Sequence, residues 1–191
     1  GLSWDGITHT IAGIGQNVHV RGNLLFSGTG LVVDLNDWSV KGTFSPANGY
    51  NSTDFDVSPS GDTAYFAGIF PPSGVSAFST SNFNQTSVLR SPVGYFQSLT
   101  LCGPDVLAIA VYNGIYFAPV SAFSPMNTPP TSPVTISKEG VQQVSFPVNS
   151  VAYDKTRNLI YAVTPPNAGT LSNSLAVIDP LTFSFNSSQY V

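Results

Sequence analysis

Few side chains in this sequence are equipped for chemistry. His9 and His19 are the only histidines and Cys102 the only cysteine among 191 residues. A zinc site asks for three or four such ligands at short spacings, and neither an H-x-x-x-H nor a C-x-x-C pattern occurs. Cys102 closes the apolar run Ser98-Leu99-Thr100-Leu101-Cys102, which predicts a buried, inert thiol. Gly13-Ile14-Gly15-Gln16-Asn17-Val18 begins as a dinucleotide-binding glycine loop but fails at its last position, and no helical pattern follows. No G-x-S-x-G elbow is present, and no cofactor is expected. The stretch from Asn51 to Asp56 is too thin in oxygen ligands to be read as a calcium loop.

Composition removes further classes. Charged residues make up 8% of the chain, against about 25% in an ordinary soluble domain. Six Lys and Arg against ten Asp and Glu leave a net charge of −4, so no nucleic-acid partner is expected. No apolar stretch approaches the ~20 residues of a membrane-spanning helix, so no transmembrane segment is expected. Thirteen Phe, eight Tyr and two Trp argue for a packed core rather than disorder. A single glutamate, Glu139, argues against a helical protein. Low charge, abundant Ser, Thr, Asn and Gly, and few lysines favour an exported or cell-surface protein. Three N-x-[ST] triplets, starting at Asn51, Asn84 and Asn186, are weak support for glycosylation there. The start at Gly1, without Met or a leader-like stretch, reads as a processed end from which any signal peptide has been removed.

The elements that would position these groups form a repeat. Four segments each open with an apolar strand: Val18–Val20, Phe55–Val57, Leu99–Leu101 and Val151–Tyr153. A polar turn follows, anchored at Asn23, Asp62, Asp105 and Asn158, whose spacings bracket the ~40–50 residues of a propeller blade. A second apolar strand, a variable loop and a third strand complete each unit; the third strands are Leu31–Asp34, Val75–Phe78, Ile115–Ala118 and Leu175–Ile178. Outer strands are expected at Val40–Phe44, Ser87–Arg90, Val134–Ile136 and Thr182–Phe185. Gly, Asn and Asp in the turns supply the positive φ of tight hairpins. The runs are too short for helices, and no segment keeps a 3.6-residue period.

The expected fold is therefore all-β. A single domain over 1–191 would form a β-propeller of about four antiparallel four-stranded blades, at about 16–45, 53–91, 97–137 and 149–190. Such a chain is a closed small ring, part of a larger seven- or eight-bladed propeller, or half of a ring completed by a homodimer. Residues 1–15 are a candidate ring-closing strand that would cover the edge of the last blade.

The last unit resembles the YVTN-type repeat of surface-protein β-propellers. Leu159-Ile160-Tyr161-Ala162-Val163-Thr164 and Ser174-Leu175-Ala176-Val177-Ile178-Asp179 carry the likeness. Val57-Ser58-Pro59-Ser60-Gly61-Asp62-Thr63-Ala64-Tyr65 is similar to a hairpin that this family shares with WD-repeat propellers. The resemblance implies the fold; propellers of this kind include surface proteins, lyases, lactonases and scaffolds.

Function follows from where a propeller places its side chains. Asp34, Asp62, Asp105, Asp154 and Asp179 fall at strand ends and hairpins, where carboxylates accept turn N–H groups. Tyr50, Tyr95 and Phe146 each precede an inner strand, so their loops surround the axis. Aromatics there fill the space between blades, or stack on a sugar or apolar ligand. His19 lies on an inner strand, as a half-buried structural residue or as an axial ligand. The expected function is a non-catalytic binding or scaffold module, with a glycan, peptide or neighbouring domain on the axial loop face. The alternative is a lactonase-like propeller hydrolase or lyase with a divalent metal near the axis.

Overall fold

The computed structural model describes residues 11–14, 17–44, 52–68, 74–90, 96–125 and 142–189. The first sheet runs β1 (Val18–Arg21), β2 (Leu24–Ser27), β3 (Leu31–Asp34) and β4 (Val40–Thr43). The second runs β5 (Ser52–Val57), β6 (Thr63–Gly68), β7 (Gly74–Ser79) and β8 (Gln85–Arg90). The third contains β9 (Phe96–Cys102), β10 (Val106–Val111) and β11 (Gly114–Pro119). After β11 a 3-10 turn leads to β12 (Ser124–Pro125), which crosses to the second sheet and covers the edge of β8. β13 (Gln142–Val144) then returns to the outer edge of the third sheet. The fourth sheet is β14 (Ser150–Asp154), β15 (Leu159–Val163), β16 (Ser174–Ile178) and β17 (Phe185–Gln189). Every pairing is antiparallel, and the chain is an all-β propeller of four blades.

Local chemistry explains the hairpins. Each turn between a first and second strand holds one residue at positive φ: Gly22 at 57°, Gly61 at 78°, Gly103 at 72° and Asn158 at 53°. Thr164, closing the Tyr-Ala-Val-Thr run, organises the next hairpin. Its hydroxyl accepts from Ser174 N at 2.9 Å and donates to the Leu171 carbonyl, while its N–H donates to Ser174 O at 3.0 Å.

Two outer strands depart from expectation. In the fourth sheet the outer strand begins at Phe185 rather than ending there, because Phe183 takes φ 57° and belongs to the turn. In the third, the outer strand is Gln142–Val144, so that sheet extends past residue 137; the expected Val134–Ile136 lies outside the described residues. Pairing with β11, Ile115 to Val144 and Phe117 to Gln142, sets this strand, whose sequence has no apolar run to announce it. Residues 1–10 of the candidate ring-closing strand also lie outside the described residues.

Burial shows how the sheets stack. The middle strands of the second and third sheets, Ala64–Ala67 and Leu107–Val111, are buried on both faces. In the fourth sheet only one face is covered, with Ile160 and Ala162 buried while Val163 is exposed; in the first, Phe26 and Val32 are buried on one face and Ser27 and Val33 on the other. Three apolar clusters fill the three seams. Phe26, Phe44, Phe55, Phe66 and Phe78 join sheets one and two. Leu99, Leu101, Leu107 and Ile109 join two and three with Tyr65 and Ala67. Phe117, Val151, Ile160 and Ile178 join three and four. Among the described residues no such cluster joins sheet four to sheet one.

Candidate functional site

The innermost strands β1, β5, β9 and β14 lie side by side around the axis, and period-2 alternation sends every second side chain toward the next sheet. On β1 these residues are His19 and Arg21; on β5 they are Asp54 and Asp56; on β9 they are Ser98 and Thr100. Together they form a polar ladder linking all four sheets.

Asp56 is its centre and is only 4% exposed. Its Oδ1 lies 3.2 Å from His19 Nδ1 and accepts from Arg21 Nη2 at 3.2 Å and Val57 N at 2.8 Å. Its Oδ2 accepts from Leu101 N at 2.8 Å and Thr100 Oγ1 at 3.3 Å. Asp54 repeats the motif two residues earlier: Ser98 Oγ donates to its Oδ2 at 2.8 Å and Leu99 N at 3.0 Å. The Ser98 hydroxyl in turn accepts from Val151 N at 3.5 Å, carrying the ladder to the fourth sheet. Burial raises the Asp56 pKa, but the His19 ring and the N–H groups of Leu101 and Val57 outweigh it and hold the carboxyl below its ordinary value.

The contact of His19 Nδ1 with a carboxylate is the geometry that orients a general base. Here, however, the carboxylate is saturated by donors from two neighbouring sheets, and the His19 ring is tilted against Phe55 at 4.6 Å. Among the described residues no three of His, Cys, Asp and Glu gather closely enough to hold a metal ion. The arrangement is a charge-compensated clamp between blades.

Of the candidate ligand-binding aromatics, Tyr50 and Tyr95 lie outside the described residues. Phe146 is buried in the seam between sheets three and four, with its ring 5.1 Å from Phe185. Turn aspartates behave as turn chemistry predicts: Asp34 accepts from Asn36 N at 2.9 Å, Asp154 from Thr156 N at 2.9 Å, and Asp179 from Leu181 N at 2.8 Å. Asp62 accepts the Ser58 hydroxyl at 2.8 Å. Cys102 is buried, and loss of water pushes its thiol up to about 12. Asn84 and Asn186 are exposed, whereas Asn51 lies outside the described residues.

Asp54 and Asp56 fall in the stretch set aside above as too thin for a calcium loop, and Arg21 was not singled out as a site residue. The signal was present: Asp54-Phe55-Asp56 and His19-Val20-Arg21 place two acids and two bases at alternate positions of successive inner strands, in a chain with few charges.

Comparison with known proteins bears on the fold alone. No protein-family model matches the chain, and no curated protein matches it. Solved structures do. A hydrazine synthase chain of Kuenenia stuttgartiensis superposes with a TM-score of 0.68 at 13% identity, over 98% of this chain and 53% of that one. The β-propeller domain of Cps50 (Swd1) from Myceliophteria thermophila gives 0.69 at 16% identity, over 97% of this chain and 58% of that one. The chain thus spans little more than half the length of the structures it matches. No helix among the described residues is long and apolar enough to cross a membrane. Sheet topology, seams and superposition agree that the described residues form four blades of a β-propeller.

Proposed function

We propose that the chain is a non-catalytic binding or scaffold module of an exported or cell-surface protein, contacting a glycan, peptide or neighbouring domain through its axial loop face. The observation that carries this reading is the saturation of the axial charges: Asp56 accepts from three strands and holds both His19 and Arg21. Groups committed to bonding blades together build a rigid frame, and a rigid frame is what displays loops for recognition. Kinship with YVTN-type surface propellers belongs to the same proposal and is supported by the Tyr161–Thr164 and Val177–Asp179 segments. Export is supported by the low charge and by the exposure of Asn84 and Asn186.

Glycan-array and peptide-pulldown screens on the purified protein test this, with a saturable partner as the expected result. Esterase or lactonase turnover that vanishes in His19→Ala, with stoichiometric divalent metal, would instead establish the hydrolase alternative. That reading draws on one observation, the His19 Nδ1 to Asp56 contact at 3.2 Å.

A further inference from the structure

The strands of each sheet alternate in direction, so their connections fall at two ends of the blades. Turns between first and second strands, and between third and outer strands, lie at one end. Connections between second and third strands, and those leading into the next inner strand, lie at the other. The two ends differ in charge. Asp62, Asp105 and Asp154 fall at the first end, as do Lys155 and Arg157. At the second, the described connections 28–30, 112–113, 145–149 and 164–173 contain no Asp, Glu, Lys, Arg or His.

That neutral end carries Tyr112. At 63% it is the most exposed aromatic side chain among the described residues. It stands on the two-residue turn Tyr112-Asn113 between β10 and β11, where Val111 pairs with Gly114. Gly114 seats this turn close against the chain: a Cβ there would lie 2.6 Å from the Val144 carbonyl oxygen. From the fourth sheet, Asn167 Nδ2 donates to Tyr112 Oη at 3.3 Å. Asn167 belongs to a stiff loop. Pro165 and Pro166 fix φ, the Pro165 carbonyl accepts from Ala168 N at 3.1 Å and Asn173 N at 3.4 Å, and a 3-10 turn spans Gly169–Leu171. The ring is thus held at its Cα by one blade and at its hydroxyl by the next, with most of its surface open to water.

We propose that Tyr112 and Asn167 form a binding site for a neutral sugar, a proposal that rests on the reading of the axial loop face as a recognition surface. A sugar ring has an apolar C–H face, which an exposed aromatic ring can cover. Its rim is made of hydroxyls. Tyr112 Oη accepts from Asn167 and keeps its own proton to donate, while the amides of Asn167 and Asn113 add donors and acceptors. Because the ring is already oriented, little side-chain freedom is lost on binding. Loops without charge give no partner to a phosphate, a uronate, or an acidic or basic peptide.

Isothermal titration calorimetry with cello-, laminari- and manno-oligosaccharides, and with oligogalacturonate as the charged probe, tests the site. Saturable binding of a neutral oligosaccharide is expected. Tyr112→Ala should weaken it about tenfold, and Asn167→Ala or Tyr112→Phe about threefold. Arg157→Ala, at the opposite end, should leave it unchanged. An unchanged circular dichroism spectrum in each variant separates lost binding from lost folding. Sugar binding that survives both Tyr112→Ala and Asn167→Ala overturns the site while sparing the recognition reading. Binding of oligogalacturonate alone, or of no sugar, also overturns it; a saturable partner in the peptide pulldown would then uphold the recognition reading by itself.

Discussion

Replacing Asp56 by alanine strips five donors of one acceptor residue. The N–H groups of Leu101 and Val57, each 2.8 Å from a carboxylate oxygen, lose their acceptor in a site closed to water. A buried unpaired donor costs about 1–3 kcal/mol, and breaking one side of a buried ion pair costs about 3–5 kcal/mol. The His19 and Arg21 side chains are 31% and 40% exposed and recover solvent, so their share is small. A loss of about 3 kcal/mol is expected, a large part of the ~5–15 kcal/mol that holds a domain together. Asp56→Asn should cost about 2 kcal/mol, since one amide oxygen cannot serve every donor. Arg21→Ala, removing only the partly hydrated partner, should cost about 0.5–1 kcal/mol. Urea unfolding followed by tryptophan and tyrosine fluorescence measures all three. If Asp56→Ala stayed within about 0.5 kcal/mol of the parent, or Arg21→Ala cost as much as Asp56→Ala, the clamp would not hold the blades.

The same carboxylate sets a pH dependence. Its folded pKa lies below the ordinary aspartate value. Its stabilisation is therefore complete above that ordinary value and is withdrawn as pH falls through the folded one. Urea midpoints taken from neutral to about pH 2 should drop for the parent protein and drop less for Asp56→Asn, which has no proton to take up.

Three further outcomes are expected. A Cβ on Gly42 would sit 2.2–2.7 Å from the Phe83 ring, so Gly42→Ala should cost about 1–3 kcal/mol by overpacking and lower the melting temperature in a thermal scan. Phe44→Ala empties a site shared with Phe66, Phe78 and Phe83 and should cost about 3–5 kcal/mol by the same measurement. Cys102, buried and held protonated, should resist a thiol reagent in the native protein and react at once in denaturant.

The inner part of each blade was legible in the sequence because its signals are local. Apolar runs such as Leu107–Ala110 and Leu159–Ala162 need only pleating and a turn anchored by Gly61, Gly103 or Asn158. Outer strands were harder, because partners rather than composition specify them. Gln142–Val144 is a strand by virtue of β11, and Phe183 reads as strand-forming until its left-handed turn is seen. The polar ladder was visible only as alternation within each strand; that His19 and Asp56, 37 positions apart, face each other depends on how two sheets stack, which no local spacing reports.

The three seams also differ in kind, which has a consequence for blade order. The first is built round a phenylalanine cluster, the second is threaded by two aspartates, and the third is mostly aliphatic with Phe117 and Phe146 among its members. Were the second sheet shuffled to another place in the chain, Asp54 and Asp56 would face a surface without the waiting amides of Leu99 and Leu101, and the stack would resist the exchange. The carboxylates thus serve as an address, written in hydrogen bonds, that tells each blade which neighbour is its own.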